Sequence, residues 1–134
     1  MNKSFDEYEI SEKLMTCVVC PKSCRLLVRC RKDSNKIVSV EHASCKRGEE
    51  WAFQEITDPV RTLCSSIMLT CGKEPLTGVK TSKPVPLRTF NDLMQIIRGT
   101  VVEAPVFIGD IVINQPLGLV CSVVVTRSVD KKKY

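Results

Sequence analysis

The sequence predicts an α+β protein: a small cysteine-rich hairpin lobe followed by a mixed sheet with one main helix. Three observations predict it. Strand-like alternation recurs along the chain, one stretch after Thr89 carries a helical apolar face, and five of the eight cysteines crowd into residues 17–45. At 134 residues the chain is one ordinary domain or two very small ones, which leaves no room in it for a multidomain enzyme.

The first element is a hairpin. Arg25 to Arg31 puts Leu26, Val28 and Cys30 on one face and the arginines on the other, the period-two pattern of a half-buried strand. Asp33-Ser34-Asn35 reads as a turn and Lys36 to Val40 as the return strand, which would bring Cys45 back towards the earlier cysteines. Glu49 to Ile56 reads as a short helix that stops before Asp58-Pro59, because the residue before proline avoids helical backbone. Beyond it, Thr62 to Cys71 alternates like a strand and Lys83-Pro84-Val85-Pro86 must run extended. Thr89 is placed to cap a helix whose apolar face is Phe90, Leu93, Met94, Ile97 and Val101. Strands at Val106 to Ile113 and Leu119 to Thr126 complete the chain, joined through Asn114 to Gly118. The expected organisation is a lobe at 14–48, a scaffold at 49–128 and a disordered basic tail at 129–134.

Composition narrows the function classes. With 43% hydrophobic and 26% charged residues the chain is a globular one, and its apolar runs, such as Val123 to Val125, are far too short for a membrane span. The N-terminus mixes charges of both signs and lacks the apolar stretch of a signal peptide, so a cytoplasmic location is expected. Charge is concentrated: residues 15–48 hold eight Lys/Arg against two acids, whereas the rest of the chain is nearly balanced. The six glycines never stand two apart, which excludes the common glycine-rich cradles for dinucleotides and triphosphates. His42 is the sole histidine, so a serine or cysteine nucleophile has almost no base to activate it, and catalysis by this chain alone is not expected.

A reducing compartment turns attention from disulfides to metal. Cys17, Cys20, Cys24 and Cys45 have the spacing C-x2-C-x3-C-x20-C. Three thiolates within eight residues can hold one corner of a compact inorganic centre from a single loop, with the fourth delivered from a hairpin end. That arrangement suits a [4Fe-4S] cluster. Structural zinc sites more often pair two C-x2-C knuckles, and no second knuckle is present, yet four-thiolate Zn2+ sites tolerate varied spacing and stay open as the alternative. Four thiolates on a cubane leave net negative charge, which Lys22, Arg25, Lys46 and Arg47 could offset. Lys46 and Arg47 are accordingly expected to tune the centre or to dock a partner.

The three clustered cysteines followed at hairpin distance by Cys45-Lys46-Arg47-Gly48 resemble the N-terminal [4Fe-4S] segment of molybdopterin oxidoreductases over about a quarter of the chain. In that family the four matching cysteines hold the cluster and a basic residue after the last, here Lys46 or Arg47, contacts the pterin. The gap is shorter here and pterin-binding domains are lacking, so molybdenum chemistry is not implied. Over nearly its full length the sequence is similar to a family of small bacterial and archaeal proteins defined as a domain of unknown function and associated with metal binding. The similarity rests on Cys17 to Cys24, Cys45 to Gly48, Val79-Lys80-Thr81, Pro84-Val85-Pro86 and Ala104 to Asp110, with Ala43-Ser44 departing from the usual small residues before the fourth cysteine. It implies a redox partner: an FAD-dependent oxidoreductase, such as one related to glycerol-3-phosphate dehydrogenase.

Plainer roles account for the remaining candidates. Cys30, Cys64, Cys71 and Cys121 read as buried thiols, and Cys64 and Cys71, seven apart in one strand, would face opposite ways. His42 reads as a loop residue and Gly109-Asp110 as a turn. Nucleic-acid binding is disfavoured, since residues 15–48 contain no Phe, Tyr or Trp on which bases could stack. The expected role is therefore an iron-sulfur electron-transfer accessory to a flavoprotein. The alternative is a zinc-stabilised structural or interaction module, including a nucleic-acid-binding one, without redox activity.

Overall fold

A computed structural model describes residues 8–133. Residues 1–7, most of the stretch read for a signal peptide, and Tyr134 at the end of the basic tail lie outside the described residues. The fold is α+β, and the chain divides into two compact units, Met1–Pro59 and Val60–Tyr134.

The first unit is an antiparallel sheet with a helix after it. Strands β1 (Ile10–Thr16), β2 (Arg25–Arg31) and β3 (Ile37–Glu41) pair in the order β1-β2-β3, and α1 spans Lys46–Thr57. The alternation along β2 holds: Leu26, Val28 and Cys30 are fully buried. On the opposite face Arg29 pairs with Glu12 at 2.9 Å and with Glu41, while Arg31 pairs with Asp33 at 2.6 Å. Ala52 of α1 is buried in the same core, with Trp51 and Ile56 packed against it. This packing puts α1 in the first unit, so the chain divides after Pro59, where the sequence suggested a break at 48/49.

The second unit contains β4 (Val60–Arg61), β5 (Cys64–Thr70), β6 (Leu76–Thr81), β7 (Val85–Pro86), α2 (Phe90–Gly99), β8 (Val101–Glu103), β9 (Ile111–Asn114) and β10 (Ser122–Val125). Its main sheet has the order β8-β5-β6-β10-β9, with β4 and β7 paired separately. Only β5 and β8 run parallel, Leu69 opposite Val102, which requires a crossover, and α2 lies within that connection. The helix buries Leu93 and Ile97 against Ile67, Leu69, Val79, Val123 and Val125 of the sheet.

Several local expectations change. Thr89 does not cap α2 through its side chain; it closes a short 3-10 turn, Leu87–Thr89, and its hydroxyl donates to the Pro86 carbonyl at 2.7 Å. The expected strand at Val106 to Ile113 shrinks to β9, because Gly109 has φ +92° and Phe107 N–H donates to the Asp110 carboxylate at 2.8 Å, making a turn. Cys64 and Cys71 are exposed at the two ends of β5, not buried, whereas Cys30 and Cys121 are buried. The segment expected to be a disordered tail is tied down. Val106 and Val129 exchange backbone hydrogen bonds at 3.0 and 2.9 Å, Lys132 N–H donates to Cys71 at 2.8 Å, and Val129 is buried in the core. Among the described residues no helix is long and apolar enough to cross a membrane.

Candidate metal centre

The topology of the first unit collects the four sequence-selected cysteines at one end of its sheet. β1 and β2 form a hairpin in register Thr16 opposite Arg25, and Cys17 N–H donates to the Cys24 carbonyl at 2.8 Å, extending the ladder one step. Residues 17–24 are thus the hairpin turn, which carries Cys17, Cys20 and Cys24. Ser23, with φ +52°, turns the chain back, and its N–H reaches the Cys20 carbonyl at 3.4 Å. Antiparallel pairing sets Glu41 at the end of β3 opposite Leu27 near the start of β2, so the chain leaving β3 emerges beside that turn. Four residues later it reaches Cys45, the N-cap of α1.

All four cysteines line one cavity of about 220 Å³. Its other walls include Val19, Leu26 and Ala43 on the apolar side and Lys22 and Ser44 on the polar side. Cys17 is buried, Cys20 and Cys24 are half-buried, and Cys45 is exposed. Gly48 supplies room: a Cβ there would lie 3.6 Å from Cys17 Sγ. Because α1 starts right after Cys45, the positive end of its dipole stands at the cavity wall. Cys24 Sγ lies 3.2 Å from Ser44 Oγ. Hydrogen bonding to Ser44 holds the Cys24 thiol below its ordinary pKa, assisted by the charge of Lys22 and opposed by burial.

The donor chemistry fits a soft metal centre, since the lining offers four sulfurs and no carboxylate or imidazole. The thiols share the cavity as separate groups: among the described residues no three Cys, His, Asp or Glu side chains are gathered as a ready metal site. Lys46 and Arg47 are exposed on the first turn of α1 and do not line the cavity. Lys46 lies 3.8 Å from Glu50. His42 is exposed, with φ +65°. Ser44 and Gly48 emerge as lining residues that no ligand spacing singles out. In the sequence Gly48 stands out only as the end of the Cys45-Lys46-Arg47-Gly48 motif and Ser44 only as the residue before Cys45.

Fold and cavity together define a class: a two-unit α+β protein with four thiols lining one cavity of its N-terminal unit. The family described as protein of unknown function DUF1667 matches residues 46–127, more than half of the chain, and the protein belongs to that family. The matched segment starts at Lys46, so the cavity cysteines precede it. Among solved structures, the chain is similar to the NMR structure of Clostridium perfringens protein CPE0013, with 19% identity and a TM-score of 0.49, over 57% of this chain and 89% of that one. No curated protein matches the chain.

Proposed function

We propose that Cys17, Cys20, Cys24 and Cys45 hold a [4Fe-4S] cluster, and that the protein is an electron-transfer accessory to an FAD-dependent oxidoreductase. The observation that carries this reading is the convergence of four thiols, from a hairpin turn and a helix start, on one cavity. When bound, the cluster supplies reversible one-electron transfer. The chain's own residues do the rest. The hairpin turn presents three sulfurs, the β3-to-α1 connection presents the fourth, and Gly48 keeps the space between them open. Lys22 and the start of α1 place positive charge beside the anionic centre, which favours its reduced state.

Stability supports the same reading. Among the described residues, the buried hydrophobic core of the first unit is Leu26, Val28, Ala52, Cys17 and Cys30, little for an independent fold. A thiolate metal site can contribute about 10–16 kcal/mol, enough to hold such a unit together. All eight cysteines are free thiols, as a reducing compartment such as the cytoplasm would keep them.

The test is electron exchange. Protein purified without oxygen is mixed with photoreduced FAD, and its visible absorbance is followed. Bleaching that is restored by oxidised FAD, and lost in Cys45→Ser, is expected. Absorbance indifferent to the flavin would overturn the electron-transfer role.

A further inference from the structure

The described cations of the first unit differ in their pairing, and Lys13 on β1 and Lys36 just before β3 stand exposed without an acidic partner among the described residues. Along the hairpin, Arg29, Arg31 and Lys32 are neutralised by Glu12, Asp33 and Glu9 at 2.6 to 2.9 Å. Around the cavity, Lys22, Arg25 and Arg47 are exposed and have no acidic partner among the described residues. Lys46 is partly offset by Glu50, and Glu49 also stands on that turn, so the excess positive charge rests on the other three. Three unpaired cations beside one cavity, against Lys13 and Lys36 standing singly elsewhere in the unit, favour an acidic partner at that cavity.

Apolar surface accompanies them. Val18 is 73% exposed and Leu14 81%, and Val19 lies on the cavity wall. Leu14 and Arg25, with Met15 and Thr16, line a groove of about 200 Å³ that adjoins the cavity in sequence and register, since Thr16 and Arg25 are next to Cys17 and Cys24. An exposed aliphatic centre flanked by cations is the anatomy of a protein docking patch.

We infer that this end of the first unit docks a protein whose own patch has an apolar centre and a carboxylate rim. Such docking would bring the partner's redox group next to the four thiols. The occupant's identity as an electron-transfer partner rests on the function proposed above. Nucleic acid is the poorer fit, because the patch offers aliphatic and not aromatic side chains.

The probe is flavodoxin, an acidic flavoprotein, titrated into the 15N-labelled full chain and followed by amide chemical shifts. Shifts at Leu14, Val18, Val19, Lys22, Arg25 and Arg47 are expected, weakening steeply from about 0.02 M to about 0.3 M salt. Reversing the charges in Lys22→Glu/Arg25→Glu/Arg47→Glu should weaken binding by roughly tenfold or more, whereas Lys32→Glu/Lys36→Glu should change it less than about twofold. No localised shifts, equal effects of both variants, or tighter binding of poly(dT) at the same salt would each overturn the docking. Binding is read without electron transfer, so the outcomes separate. Docking by protein that exchanges no electrons refutes the function proposed above and not the patch. Flavin-reducible protein with no localised shifts refutes the patch alone.

Discussion

Cys17 N–H donates to the Cys24 carbonyl at 2.8 Å, so two of the proposed ligands face each other across the last rung of a β-hairpin. The rung fixes where the 17–24 turn begins and ends, and places Cys20 at its tip. Metal capture would then depend on sheet pairing as well as on cysteine chemistry.

Cys45→Ser is expected to loosen the first unit selectively. Hydrogen exchange at β2 amides should quicken by orders of magnitude once the metal is lost, because the remaining core is small. Amides of β5 and β10, backed by Ile67, Val123 and Leu93, should keep their protection. Unchanged exchange in β2 would show that metal does not support the unit.

Gly48→Ala separates metal retention from fold. Gly48 lies in the first turn of α1, where alanine is the better helix former by up to about 1 kcal/mol, so metal-free protein should be as stable or more so. The added Cβ would sit in contact with Cys17 Sγ, at 3.6 Å, on the cavity wall. Metal bound per chain should fall while the thermal midpoint of the metal-free protein does not.

In the second unit, Leu93→Ala should cost about 2–5 kcal/mol in denaturant unfolding, since Leu93 is fully buried. Val129→Ala should cost about 2 kcal/mol, because Val129 is part of the core. A neutral Val129→Ala would restore the solvated tail that the sequence suggested.

Cys121 tests burial through pH. Burial pushes its thiol pKa up, and Lys83 partly opposes this. Iodoacetamide should therefore modify exposed Cys64 and Cys71 well before Cys121 at pH 8, with Cys121 catching up only as pH rises. Lys83→Met should delay Cys121 further. Folding here favours the protonated thiol, so this contribution to stability is present below the ordinary thiol pKa and is lost as pH rises through the raised folded value.

Legibility in the sequence followed how local each cause was. The β2–β3 hairpin and α2 were readable because one face of each is buried, leaving Leu26, Val28 and Cys30 at period two and Leu93 and Ile97 at helical spacing. β1 was not, because Glu12, Lys13 and Leu14 are all exposed and no alternation survives. β6 was hidden by Gly78, whose Cβ would lie 2.5 Å from Thr126 Oγ1, a close approach that only the folded sheet reveals. β8 is three residues long and depends on parallel pairing with distant β5. That Cys45 lines the same cavity as the earlier cysteines agrees with the hairpin length read from the sequence. The roles of Ser44 and Gly48 in the cavity wall needed three dimensions.

The central claim is that the four thiols hold an iron-sulfur cluster, and metal analysis tests it most directly. Protein purified anaerobically is assayed for iron, acid-labile sulfide and zinc, with EPR before and after dithionite. The prediction is about four irons and four sulfides per chain, with a signal that appears on reduction and is lost in Cys17→Ser. One tightly held zinc without sulfide or a reducible signal would contradict it, leaving the four thiols a structural site.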